Sequence, residues 1–256
     1  MNKVVALLCV LICATVFAGC SQREKIHGVV DLQGKTFAVP TGTVADKLIL
    51  TKFPTAKFAY YNSVLDSALA VKAHKADAAG YDEPILRNIA GKNPGLHVLP
   101  DPITIDDYGF AVRLTDTELK EAIDSVVAEL RANGGYDVMM HRWLPESGAP
   151  AAMPTIEEGT GAVLHFGTAA ITEPFSFVDG SQQVVGLDVE IARLVARRLN
   201  RKLEVMNMDF GAMIPALIAG KVDMIGACIT ITPERATKVL FSKPYYRGGI
   251  SVLVAD

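Results

Sequence analysis

The sequence predicts an α/β fold in two lobes that face each other across a cleft, and three observations carry that expectation. Short apolar runs alternate with helical patterns in both halves of the chain, which is the rhythm of βαβ units. A stretch at 145–161 contains three prolines and lacks helical or strand periodicity, so it reads as a linker. A unit of helix, basic turn and strand also occurs twice. Ser67-Ala68-Leu69 leads to Lys75-Ala76-Asp77-Ala78, and Pro215-Ala216-Leu217 leads to Lys221-Val222-Asp223-Met224. Ligands of open α/β sheets bind beyond the carboxyl ends of strands, so two such lobes place their following loops across one clamshell cleft.

Taken in order, strands are expected at 36–39, 57–61 and 76–80, with helices at 44–52 and 63–73 between them. A helix near 83–90 follows, then strands at 96–99 and 108–112, a long amphipathic helix at 116–132 and a short one holding Trp143. Beyond the linker the expected order is strand 162–167, helix 188–199, strand 203–207, helix 213–219 and strand 222–227. Helix 233–239 and strand 249–254 complete the chain.

The first twenty residues stand apart. Lys3 precedes an apolar run over 4–17, with Thr15 its one polar residue, that leads to Ala18-Gly19-Cys20. The run is shorter than the roughly 20 apolar residues of a membrane-spanning helix and ends in small residues, so it reads as a secretion signal. Phe17-Ala18-Gly19-Cys20 resembles a bacterial lipoprotein box with phenylalanine in place of the usual leucine, which makes Cys20 the candidate lipid attachment site. An uncleaved anchor or an ordinary signal is the alternative. A mature chain keeps only Cys20 and Cys228, and Cys228, in an apolar strand, reads as a small core residue. The net charge of -3 argues against a nucleic-acid partner, because binding phosphates needs a basic surface. No nucleophile elbow, HExxH or clustered Cys/His spacing is present, so no catalytic, cofactor or metal site is expected, and the scattered histidines, His141 and His165 among them, read as surface or core residues.

The loops carry the candidate binding residues. Thr232-Pro233-Glu234-Arg235 is a hydroxyl cap followed by proline at the first helical position. A cation in a first helical turn opposes the helix dipole, so Arg235 makes most sense gripping an anion, and a carboxylate suits the guanidinium fork. The alternative is a solvated arginine paired with Glu234 or a nearby acid. Asp82 follows a strand and offers an anion for a ligand ammonium, or simply caps the next helix. Pro40-Thr41-Gly42-Thr43 offers backbone donors and the Thr43 hydroxyl, or merely turns the chain. Phe210 is an apolar platform or a core residue.

Several spaced motifs resemble one family. Gly186-Leu187-Asp188-Val189, Met208-Asp209-Phe210 with Ile214-Pro215-Ala216-Leu217, Ile229-Thr230-Ile231-Thr232-Pro233-Glu234-Arg235 and Phe241-Ser242-Lys243-Pro244-Tyr245-Tyr246 resemble the N-terminal part of family 3 of the bacterial extracellular solute-binding proteins. Asp31-Leu32-Gln33-Gly34-Lys35, Val39-Pro40-Thr41-Gly42-Thr43, the segment 78–84, Tyr108-Gly109-Phe110-Ala111-Val112 and the segment 136–143 resemble its later part, which comes first here.

The resemblance implies a two-lobed clamshell of the type II periplasmic-binding-protein kind with circularly permuted lobe order. Residues 1–20 are then the signal, 21–28 a tether, 29–104 one lobe and 105–256 the other, with 145–161 joining what are usually the termini. The new ends lie at the hinge, Val254 normally continuing into Val29, and one covalent crossover is expected near 100–108. Lobe exchange between two chains is the competing picture. The resemblance assigns Arg235 to a ligand α-carboxylate, Thr230, Thr43 and the Gly42 loop to the same group or its neighbours, Asp82 to the α-ammonium and Phe210 to the ligand side chain. Ala169 and Thr172 stand where an acidic or polar residue and an aromatic are usual, and Pro40 replaces a lysine of some amide-amino-acid binders. The implied function is capture of an amino acid or related zwitterion for the permease of an ABC importer, by a protein lipid-anchored to a bacterial membrane at the periplasm or cell surface. A cyclohexadienyl dehydratase-like enzyme and a ligand-sensing lipoprotein are the alternatives.

Overall fold

The computed structural model describes residues 25–145 and 152–256. The expected signal with Cys20, the start of the tether and the middle of the linker fall outside the described residues.

The first half builds β1 (Thr36–Pro40), α1 (Ala45–Lys52), β2 (Lys57–Tyr61), α2 (Val64–Lys72), β3 (Ala78–Asp82), α3 (Glu83–Lys92) and β4 (Leu96–Val98). It continues through β5 (Asp106–Tyr108), β6 (Ala111–Val112), α4 (Thr117–Ala132) and α5 (Gly135–Trp143). After the linker come β7 (Val163–Thr168), β8 (Ile171–Thr172), β9 (Ser176–Val178), β10 (Val184–Val185), α6 (Leu187–Arg198) and β11 (Lys202–Asn207). The chain ends with α7 (Met213–Ile218), β12 (Met224–Ile225), α8 (Pro233–Ala236), β13 (Leu240–Phe241), β14 (Tyr246–Gly248) and β15 (Ile250–Ala255).

Local chemistry explains the regular elements. Phe37, Ala38 and Val39 are fully buried, as expected of a central parallel strand covered by helices on both faces. In α2 the Ser63 hydroxyl accepts the Asp66 N–H at 3.0 Å, capping the first turn, while Val64, Ala68 and Val71 form the buried stripe.

Two five-stranded mixed sheets result, ordered β2-β1-β3-β15-β4 and β11-β7-β12-β6-β13. They share one plan. Strands that are first, second and third along the chain run parallel in the order second, first, third, and an antiparallel strand then enters from the other half of the chain. In the first lobe that strand is β15, and in the second it is β6. The single expected crossover therefore becomes two, from β4 through β5 to β6 and from β13 through β14 to β15. The two passes pair with each other as an antiparallel ribbon, Tyr246 opposite Tyr108 and Gly248 opposite Asp106. The last strand belongs with the first lobe, a partnership no local pattern can announce.

The strand expected over 108–112 is also two strands in two sheets. Gly109 marks the change: a Cβ there would lie 2.9 Å from the Ile231 side chain, which would have to shift to admit one. The helix expected over 233–239 closes at Ala236. A three-stranded meander of β8, β9 and β10 was not anticipated, because strands of two or three residues show no period.

Candidate functional site

The loops after β1, β3 and β12 and the turn after β11 converge between the lobes, at the carboxyl ends of the parallel strands. The main cleft has a volume of about 630 Å³ and takes Thr41, Gly42, Thr43 and Tyr81 from the first lobe, and Thr172, Asp209 and Phe210 from the second. Beneath Phe210 lies a tight void of about 10 Å³, bordered by Thr43, Asp82, Phe210, Cys228, Thr230 and Arg235. A third space of about 70 Å³ is bordered by Gly42, Phe210 and Arg235. All the candidate binding residues thus come together, with Phe210 common to every compartment. The inner void has room for about one water, so this closed arrangement buries Asp82 and Arg235 out of the main cleft.

Arg235 does not pair with Glu234, which instead meets Lys47 of the first lobe at 2.5 Å. The Arg235 guanidinium donates to the Thr230 carbonyl at 2.9 Å and sits 5.5 Å from the Phe210 ring centroid, leaving much of its donor fork for another acceptor. Burial lowers its pKa, with Tyr81 and Asp82 opposing. Thr232 caps α8 by accepting the Arg235 N–H at 3.2 Å, which fixes the arginine backbone.

Asp82 is placed as an N-cap, yet its side chain makes no capping bond. Its carboxylate accepts the Tyr108 hydroxyl from the hinge ribbon and faces the Cys228 thiol of the second lobe at 3.8 Å. Tyr108 is held in turn by the Gly249 N–H, 3.0 Å from its hydroxyl oxygen. Burial pushes the Asp82 carboxyl up to about 7; the Tyr108 hydrogen bond opposes the rise and the charge of Asp106 adds to it.

The Thr43 hydroxyl donates to the Pro40 carbonyl at 3.0 Å, tightening the loop before α1. Gly42 has φ +80, and a Cβ there would stand 3.0 Å from the Gly211 Cα of the other lobe. The loop thus turns through a left-handed residue and presses backbone to backbone across the cleft, and any side chain there would wedge the lobes apart.

Sequence reasoning missed three participants. Cys228, read as a core residue, has φ +46 and is 2% exposed; its N–H donates to the Asp188 carboxylate at 2.9 Å while its thiol faces Asp82. Asp188, fully buried at the start of α6, is pushed by burial to about 7, with Tyr245 and the Cys228 N–H opposing. Tyr108 bonds a residue 26 positions away. The legible signal was the polarity of Asp188 beside an apolar helix start; the other two needed the fold.

Against known proteins, the family match lies in the second half of the chain. Over 83 residues it is 41% identical to the arginine-binding extracellular protein ArtP of Bacillus subtilis (strain 168), covering 32% of each chain. Over 90 residues it is 30% identical to the ABC transporter arginine-binding protein 1 of Escherichia coli (strain K12), covering 35% of this chain and 37% of that one. The chain therefore matches about a third of the length of these curated relatives. A solved structure, the arginine-bound form of domain 1 from TmArgBP, aligns at 36% identity over 37% of this chain and 80% of that chain, with a TM-score of 0.33. The relatives are named as binding proteins, not as enzymes. Residues 164–256 match the bacterial extracellular solute-binding proteins, family 3, so that part of the chain is similar to them.

Proposed function

We propose that this protein is the solute-binding component of an amino-acid importer of the ABC type, closing its two lobes on a zwitterion whose carboxylate is held by Arg235 and whose ammonium is held by Asp82. The observation that carries the reading is that these two residues, one from each lobe, border the same void beneath the cleft. An opposite-charge pair on separate lobes is what a clamshell needs: a ligand shifts the open-closed balance only by its differential affinity, and only closure brings both groups to one ligand. Thr230, Thr43 and the Gly42 backbone complete the carboxylate side, and Phe210 faces the ligand side chain. The names of the relatives favour arginine as the first solute to try.

The same reading takes the chain order as a circular permutation. The shared plan of the two sheets supports it, since each sheet completes itself with one strand from the other half whichever half is written first. Cys20 is the proposed lipid anchor, holding the lobes outside the cytoplasmic membrane. The test is calorimetry with arginine, glutamine and histidine on the wild type and on Arg235→Ala. Wild type is expected to bind at least one of them, and Arg235→Ala to weaken that binding by about a hundredfold, the worth of a bidentate charged grip. Equal affinity in the variant would sink the assignment.

A further inference from the structure

We infer that Asp209 selects ligands that carry a second positive charge at the far end of their side chain. The inference rests on the amino-acid reading above and adds to it the residue that sets specificity. Among the described residues lining the main cleft, the side chains are hydroxyl, amide, apolar or phenolic, and Asp209 alone is a carboxylate. Its carboxylate is uncommitted. Asp209 precedes the short turn Phe210–Ala212 and caps it only through its backbone, the carbonyl accepting the Ala212 N–H at 2.9 Å with no side-chain capping bond. No hydrogen bond or ion pair to its side chain occurs among the described residues. Asp179 and Glu234 of the same lobe are exposed acids already engaged, by Ser181 and Lys47; what sets Asp209 apart is that its free carboxylate lines the cleft.

The geometry gives the site two ends. Arg235 lies against the Phe210 ring at 5.5 Å and borders the inner voids, whereas Asp209, the adjacent residue, borders the outer cleft. A ligand whose carboxylate meets Arg235 must pass the edge of Phe210 to enter the cleft. A side chain of three or four methylenes spans about 5 Å. It would deliver a guanidinium or ammonium to the side where Asp209 stands, and a cation arriving there meets a negative charge that needs no partner broken. A neutral amide of the same length gains no such attraction.

The experiment compares L-arginine with L-citrulline, its uncharged isostere, by calorimetry on the full chain and on Asp209→Asn, with the melting temperature of both followed as a check on folding. Wild type is expected to prefer arginine by up to about fivefold, the upper end of what an exposed charge pair supplies. In Asp209→Asn that ratio is expected to fall towards one. A role limited to the turn would move both affinities together and keep the ratio, which overturns the inference and leaves the amino-acid reading standing. A wild type that binds citrulline as tightly as arginine also overturns it. If wild type binds no amino acid at all, the reading beneath it fails too.

Discussion

Asp82 and Asp188 are buried carboxyls, one in each lobe, both pushed up to about 7 from an ordinary 3.8. Between roughly pH 4 and 7 the folded state therefore holds protons that the unfolded chain has lost, and stability falls as pH rises through that window. The slope is at most about 1.4 kcal/mol per pH unit for each group. Thermal melts should thus show Tm dropping between pH 5 and 7.5, with Asp82→Asn flattening the profile; a profile unchanged by that substitution would separate Asp82 from the effect. The same carboxyl gives a sharper test of the ligand role. An ammonium beside Asp82 favours its ionised form, so binding near pH 6 should release about one proton, read as a dependence of binding enthalpy on the ionisation heat of the buffer. Binding without proton release would remove the ammonium from Asp82. How much of this was legible varies by residue. Arg235 announced itself, since a cation at the start of a helix conflicts with the dipole, and the acid that could have excused it is held by Lys47. Cys228 did not: its left-handed backbone and its contact with a residue 146 positions away exist only in the fold.

At the scale of elements, the second lobe is tied together beneath its surface. Glu190 of α6 is 5% exposed and accepts from both Arg142 at 2.6 Å and the Trp143 indole N–H at 2.5 Å, two neighbours at the end of α5. Trp143 itself is almost wholly buried, so both its ring and its one donor are used. Removing Glu190 leaves the indole N–H buried without an acceptor and the half-buried Arg142 without its ion pair. Glu190→Ala is expected to cost about 3 kcal/mol by denaturant titration, well beyond an ordinary surface change. A loss under about 1 kcal/mol would mean that solvent reaches Arg142 and the indole more freely than their burial implies. Elements of this size were easy to read: the helix expected over 116–132 is α4, Thr117–Ala132, because its 16 residues repeat the apolar period several times. The two-residue strands β6, β8 and β10 offer no repeat to count, and the ribbon of β5 and β14 depends on partners far apart in the chain.

Over the whole molecule, what holds the lobes shut matters for function. Lys47 to Glu234 and Lys92 to Glu173 bridge the cleft at 2.5 and 2.6 Å, but most of these side chains are well exposed, and pairs of that kind contribute little. The buried set around Asp82 is left to couple the lobes, and in the proposed reading an added ligand there tips the balance.

The shared sheet plan makes a stronger demand on the chain as a whole. Lys25 and Asp256 border the same cavity beside Val71 and His74, while the linker joins α5 to β7 within one lobe. The linker's far end is already pinned, with the Gly161 N–H donating to the Asn200 carbonyl at 2.8 Å. If chain order is the only thing permuted, a polypeptide running from 152 to 256, through a short glycine-serine bridge, and on from 25 to 145 should fold to the same two sheets. Exchanging one surface loop for another alters closure entropy only slowly with length, so its stability should lie within about 1–2 kcal/mol of the original. Its Tm and its ligand affinity are the measurements. A rewired chain that folds and binds alike would establish that both orders encode one clamshell. A chain that folds only as a dimer would instead show that the two lobes find their partners between molecules, and the permuted single-chain reading would have to be given up.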